Sequence, residues 1–546
     1  MSTAHRGGDA GIAAAAPSSG HSRLWFWWAL GLALLLIAAL VAATMIEEPL
    51  RRRMERELNR RMIGYTVAVP ILDLHPFSFS LTLRDPTVHQ QAHPDPPVIT
   101  IDALHAGVHW RALLSLRLVA DFTFEAPRVH IDRTQLVAER SDRVDVEDKG
   151  WQDALQSIYP LKINRFVVRD GTLTYVDDER PRPLEITHLN LVATNIRNIA
   201  DAGDAYPSQV QLSAAVFEFG RLRAEGAANF LAKPHPAMRA AIEVTKLPLE
   251  RLRPVAADAN VHISGGTLSA QGEVEYAAEH QRAHLRRASL DGVVVDYIHS
   301  PETAVAEARR IERLGEVASE LSDKPTALIA IDHVDVSSAT LGFVDETADP
   351  HYRLFVSDAV IELRDLSNQP EAGRGRIHVK GKFMGSGTSS LRASFLPRRN
   401  NPDLELAIQI EDTRLQAMND LFRARGDFDV ADGSFSFFSE LRIVDRKITG
   451  YVKPLFKNLD VYERRQDRAD SAAQQIYEAL VGGVAVLLEN PSDQVATKAT
   501  VSGQTTAPDL STWEVIVNLI RNAFFKAILP GLDSAARAKP ADAPSQ

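Results

Sequence analysis

The residues most able to do chemistry in this 546-residue chain are its 17 histidines and 71 acidic side chains, and none falls into a spacing that catalysis requires. His89 and His93 flank a proline-rich loop. His105 and His109 lie four apart, which on a strand puts both on one face. Gly107 between them offers no third ligand, so a solvated strand face accounts for the pair better than a metal site. Asp177, Asp178 and Glu179, and later Asp345 and Glu346, form acidic clusters in which paired carboxylates could act as acid and base. They stand where strands run into turns, however, and Asp is favoured there for backbone reasons alone. Gly375–Lys382 has the residue types of a phosphate loop at the wrong spacing, with Phe383 in the Ser/Thr position. HExxH, GxSxG and EF-hand patterns are absent. The chain has no cysteine, which excludes disulfides, thiolate metal sites and cysteine nucleophiles. A net charge of -10 shows no basic bias toward nucleic acid. The expectation is a non-enzyme without cofactor, metal or nucleic-acid partner.

The elements must then explain the chain. From Leu24 to Ile46 no residue is charged, and 23 residues at helical rise cover roughly 34 Å, enough to cross a bilayer core. Trp25, Trp27 and Trp28 lie at one end, where indoles favour the headgroup layer, and Leu34, Leu35 and Leu36 lie mid-span. This predicts a membrane anchor. The rival, a cleaved signal peptide with Val41, Ala42 and Ala43 as cleavage site, needs a shorter apolar stretch. Arg51, Arg52, Arg53, Arg56, Arg60 and Arg61 follow the span, interleaved with Glu47, Glu48, Glu55 and Glu57. By the positive-inside rule they argue for a cytoplasmic body, or they simply belong to a solvated charged helix.

Beyond the anchor the pattern has period two. Phe77, Phe79, Leu81 and Leu83 alternate with polar residues, as do Met238, Ala240, Ile242 and Val244, and Leu404, Leu406, Ile408 and Ile410. Such alternation predicts strands with one apolar face, separated by turns such as Asp170-Gly171, Gly265-Gly266 and Asp432-Gly433, and paired antiparallel. INRFVVRDGTLTYVDD from Ile163 aligns with IDHVDVSSATLGFVDE from Ile331, and the correspondence continues at an offset of 165–170 residues. The predicted organisation is a tail over 1–23, the anchor over 24–46, a β segment over 47–160, one β repeat over 161–328 with a helix near 302–322, a second over 329–505 with a helix near 467–488, a C-terminal helix over 506–533 and a tail over 534–546. A one-faced sheet must hide its apolar face. It either closes on itself as a sandwich or barrel, or stays an open trough that an apolar partner such as acyl chains fills. Sequence physics leaves the two open.

GYTVAVPILDLHPFSFSLTLRDPTV, LHAGVHWRALLSLRLVADFTFEAPRVHIDR, the INRFVVRDGTLTYVDD repeat, GYVKPLFKNLDVY and DLSTWEVIVNLIRNAFFKAILPGL occur in this order along the chain. In that order they resemble the AsmA-like superfamily of bacterial envelope proteins, in a branch whose domain carries only a placeholder name. The resemblance covers nearly the whole chain. It implies an inner-membrane anchor, a periplasmic body against the arginine count, a long curled β-groove, phospholipid as cargo, a link to outer-membrane integrity, and no catalytic residues. Phe77, Phe79, Leu81, Leu83, Ile242, Val244, Ile408 and Ile410 are the expected groove lining. The alternative is an adaptor of the envelope with a closed β-core that binds other envelope proteins and carries no lipid.

Overall fold

A computed structural model of the protein describes residues 45–108, 119–132, 162–176, 183–196, 205–302, 324–462 and 494–504, with short gaps inside these stretches, together with Leu30, Gln135 and Arg309. Trp25, Trp27, Trp28, Leu34, Leu35 and Leu36, both tails, the C-terminal helix and nearly all of the helices expected near 302–322 and 467–488 lie outside the described residues. Among the described residues no helix is long and apolar enough to cross a membrane.

A charged helix, α1 (residues 45–60), opens the described chain. Eight short strands follow: β1 (Tyr65–Ala68), β2 (Ile71–His75), β3 (Ser80–Arg84), β4 (Thr87–Gln90), β5 (Ile99–Thr100), β6 (Ala103–Val108), β7 (Val119–Glu125) and β8 (Arg128–Asp132). Seven longer strands come next: β9 (Lys162–Val176), β10 (Leu184–Ile196), β11 (Ser208–Val216), β12 (Gly220–Asn229), β13 (Ala237–Pro248), β14 (Val261–Tyr276) and β15 (Gln281–His299). Seven more repeat the plan: β16 (Ala327–Asp345), β17 (Tyr352–Ser367), β18 (Gly375–Phe383), β19 (Gly387–Leu396), β20 (Asp403–Arg414), β21 (Asp429–Val444) and β22 (Lys447–Tyr462). The last two are β23 (Gln494–Ala496) and β24 (Ala499–Gln504). Each set of seven has a 3-10 turn and a short helix between its fifth and sixth strands. These are Leu249–Leu252 with α2 (Arg253–Ala257), and Leu415–Met418 with α3 (Asn419–Gly426).

All the strands belong to one sheet. From β9 to β22 each strand pairs with the next. Alternation predicts antiparallel pairing throughout, but β15 and β16 are parallel, and β9 is parallel to β7 along its first half and to β8 along its second. A parallel partner requires the chain to return across the sheet, and the connections before β9 and before β16 lie largely outside the described residues. The sheet is not closed. At one edge β1 and β2 pair only inward, with β4 and β3, and at the other β23 and β24 pair only with β22.

The strand interruptions follow a line. Asp170, His188, Phe217, Lys246, Gly266 and Gly292 have positive φ, and so do Ser338, Asp358, Met384, Asp412, Gly433 and Asn458, each 166–170 residues after its counterpart. Most sit at register shifts in adjoining strand pairs. An extra residue at a bulge bends a strand and raises its twist, so aligned bulges curve the sheet along one line. Gly266, at φ +109, is needed there: a Cβ would stand 2.8 Å from Val293 Cα.

The core has two large clusters toward the ends of the sheet and a smaller one between them, where Leu249 and Leu252 of the α2 corner pack with Val293, Ala339 and Ala359. At one end Leu50, Met54 and Leu58 of α1 pack on Tyr65, Val67, Val69, Leu72, Leu83 and Val88. At the other, Leu415, Met418, Leu421 and Phe422 of the α3 corner pack on Phe435, Phe437, Val452 and Phe456.

Candidate functional site

Cross-strand register turns the alternating pattern into continuous apolar rows. One row runs Leu72, Leu83, Leu104, Phe124, Val168, Leu191, Leu212, Ala224, Ile242, Gly272, Leu285, Ile331 and Leu366, from β2 to β17. Two residues away in every strand, and so on the same face, runs Leu74, Leu81, Ala106, Phe122, Phe166, Ala193, Val210, Gly226, Ala240, Val274, Ala283 and Ile329. A third runs Ala214, Leu222, Val244, Ala270, Ala288, Val334, Leu363, Ile377, Ala393, Leu406, Leu441 and Gly450, reaching β22. No position in the three rows carries a polar side chain. The opposite face is charged, as in the row Arg223, Glu243, Gln271 and Arg287.

Coverage of this face changes along the sheet. Leu72, Leu83 and Val168 are buried at the α1 end, and Leu406 and Leu441 at the α3 end. Between them Leu191, Leu212, Ile242, Leu285 and Ile331 are only half-buried, and Ile329 is exposed. Beside this stretch Leu249 and Leu252 of the α2 corner cluster with Leu268, Leu290, Val293 and Val336, so the middle of the sheet is covered in part.

Beneath α1 the face opens into a cavity of about 510 Å³. Met54, Leu58 and Met62 wall one side, and Leu81, Leu83, Leu104, Phe122, Phe124, Val168, Leu173 and Leu189 the other. Thr172 is its single hydroxyl residue. This size lies within the roughly 300–1,000 Å³ typical of ligand pockets.

Polar side chains of α1 hold it against the exposed edge strand. Asn59 Nδ2 donates to Val67 O at 2.9 Å, and Val67 N donates to Asn59 Oδ1 at 2.6 Å. Arg51 Nη1 donates to Val69 O at 2.8 Å, and Leu74 N to Glu47 Oε1 at 3.0 Å. Backbone groups that an open sheet edge leaves unpaired are thereby satisfied. Glu48 takes hydrogen bonds from Arg51 and Arg52, which hold its carboxyl down at about 2. The charge-rich flank is a helix, as its composition allows, but half of that helix is docked rather than solvated.

The expected lining residues fall in three places. Leu81 and Leu83 line the cavity, and Ile242 and Val244 stand in the half-covered rows. Ile410 is buried in the core at the α3 end and Ile408 packs against that core. Phe77 and Phe79 are not in a strand. They occupy the turn between β2 and β3, 62% and 51% exposed, because Phe79 takes positive φ and β3 begins only at Ser80. Sequence reading missed Phe122 and Phe124, although VADFTFE alternates as clearly as any stretch. It missed Met54 and Leu58 because the charges around them hide their i, i+4 spacing.

The candidate chemical groups are otherwise engaged. Asp345 is buried, accepting from Thr347 N and Oγ1 on one oxygen and from Tyr352 OH on the other. His105 Nδ1 lies 3.0 Å from Thr82 Oγ1, and His89 Nδ1 donates to Pro94 O at 2.7 Å. Gly375–Lys382 is β-strand, not a phosphate loop. His109, Asp177, Asp178 and Glu179 lie outside the described residues. Among the described residues no three metal-ligating side chains cluster. No protein-family model and no curated protein matches the chain.

Proposed function

We propose that this protein is a membrane-anchored, non-enzymatic lipid-handling protein of the bacterial envelope, in which acyl chains lie along the apolar rows of an open β-trough. The observation that carries the reading is the uninterrupted apolar path from β2 to β22, sealed by protein at both ends and half-open between them. A face of this kind is unstable in water at roughly 25 cal/mol per Å² of apolar surface. Acyl chains fill it by non-directional burial, which needs no polar partner, and the rows offer none. The resemblance to AsmA-like proteins adds the setting: residues 24–46 in the inner membrane, the trough in the periplasm, two copies of one seven-strand unit making its length, and phospholipid as cargo. The arginines after the anchor carry less weight against this orientation once Arg51 has a structural task on the edge strand.

The test compares the full chain with an Ile242→Lys, Leu285→Lys double variant. Both are purified gently from a Gram-negative host, extracted with organic solvent and analysed by mass spectrometry. Lipid around the anchor is common to both, so the difference reports the trough. Several phospholipids fewer in the variant, with melting unchanged, supports the reading. Equal lipid in two folded proteins overturns it and favours the adaptor alternative.

A further inference from the structure

The turn Phe77–Phe79 lies outside the strands that carry the apolar rows. Its two phenylalanines are among the most exposed large apolar residues of the described chain. Its position says what they meet. Asn59 bonds Val67, Arg51 bonds Val69 and Glu47 bonds Leu74, so α1 and the β1–β2 edge run antiparallel. Following β2 past Leu74 therefore leads back along α1 toward its start, where Met45 and Ile46 are 75% and 52% exposed and where the uncharged stretch from Leu24 ends. β2 ends at His75, one residue past the contact of Leu74 with Glu47, so the turn that follows lies on the side of Glu47, the first charge after that stretch, toward the start of α1. The polar residue between the phenylalanines is already satisfied: Ser78 Oγ donates to His75 O at 3.3 Å and lies 2.7 Å from Ser80 Oγ.

We infer that the β2–β3 turn inserts Phe77 and Phe79 into the bilayer beside the anchor, fixing the cavity end of the trough on the membrane surface. The occupant is the lipid interface itself. The inference rests on the proposal that residues 24–46 cross the membrane. Two aromatic rings at an interface, carried on a turn whose own hydroxyl needs no water, suit the depth of roughly 5–10 Å at which amphipathic elements rest. The geometry gives the cavity under Met54 and Leu58 a fixed position above the headgroups, from which acyl chains pass to the rows.

Because the chain contains no cysteine, single-cysteine variants report single sites. Phe77→Cys, Phe79→Cys, Leu35→Cys and Phe219→Cys, each in the full chain reconstituted into phosphatidylethanolamine–phosphatidylglycerol vesicles, are labelled with an environment-sensitive dye. They are then probed with lipids bearing nitroxides at defined depths. Phe219 is a control, a 73% exposed phenylalanine in the turn between β11 and β12 at the opposite rim. Blue-shifted emission and quenching several-fold above the Phe219 site, at positions 77 and 79, supports the insertion. Dyes at 77 and 79 as wet as that at 219, with Leu35 quenched, overturn it while leaving the anchor standing. An unquenched dye at Leu35 overturns the anchor and the insertion together.

Discussion

Asn59 illustrates how one residue decides an interface in this molecule. Its amide both donates to and accepts from Val67, which imitates a strand neighbour for the edge strand. Alanine there leaves two backbone groups dependent on water and loosens α1, the wall of the cavity. The expected loss is about 1–2 kcal/mol of local stability. Hydrogen exchange at the Val67 amide should accelerate roughly ten-fold, with little change at Phe435, buried in the far core. An unchanged rate at Val67 contradicts the edge-holding role. Nothing in EEPLRRRMERELNRR marks Asn59 apart from its neighbours, because its partner is a main-chain group eight residues on. By contrast, the buried state of Asp345 follows from a local motif: an Asp that accepts from Thr347, two residues later, is an ordinary turn device, and its place at a strand end was visible in the sequence. Asp345→Ala is expected to destabilise the protein by about 1–3 kcal/mol, since the buried hydrogen bond from Tyr352 OH to this carboxylate is removed; a thermal melt without change contradicts this.

At the scale of elements, the strands were legible and their ends were not. Period-two alternation over 238–244 and 404–410 finds the first part of β13 and of β20, since each strand pairs on both sides and its apolar face is fixed by that register, while the pattern stops before either strand ends. The same alternation continues into Phe77 and Phe79, where the backbone has already turned. A turn residue with positive φ cannot be read from hydrophobicity, and phenylalanine is an unusual occupant of that conformation. Asp170-Gly171, Gly265-Gly266 and Asp432-Gly433, expected as turns between strands, instead lie inside β9, β14 and β21 on the bulge line: positive φ at Asp170, Gly266 and Gly433 interrupts each strand without ending it, and Lys246 and His188 on the same line carry no turn signal. Gly266→Ala and Gly433→Ala should each cost about 1–3 kcal/mol, since their φ values of +109 and +130 suit only glycine and a Cβ would meet backbone within 3.0 Å. Chemical denaturation checks this, and Gly373→Ala, whose Cβ would touch nothing, separates the steric share from the conformational one. The two ends and the middle of the apolar face should also respond differently to charge. Phe435→Asp places a carboxylate in a fully buried site and is expected to abolish cooperative melting. Ile242→Asp, half-exposed, should leave the melt intact.

For the whole molecule, counting strands overstates its length. Ten of the twenty-four strands among the described residues lie end to end in five pairs that each fill one strand position: β1 with β2, β3 with β4, β5 with β6, β7 with β8, and β23 with β24. Nineteen strand positions at about 4.8 Å span roughly 85 Å, rather than the roughly 100 Å that two dozen side by side would give. Fold class was legible because amphipathic strands leave few alternatives. Whether the sheet closes was not, because closure depends on which edges meet, and a β1–β2 edge covered by α1 side chains carries no distinctive sequence. The openness of the central face is what gives the trough its proposed use.

The most direct measurement places a photo-crosslinking amino acid at Ile242 in the half-covered row, and in a second strain at Glu243, its neighbour on the opposite face. Both full-length proteins are irradiated in living cells, purified and analysed for covalently attached lipid by mass spectrometry. The account predicts phospholipid adducts at 242 and not at 243. Adducts to protein alone at 242, or equal lipid at both positions, would contradict it.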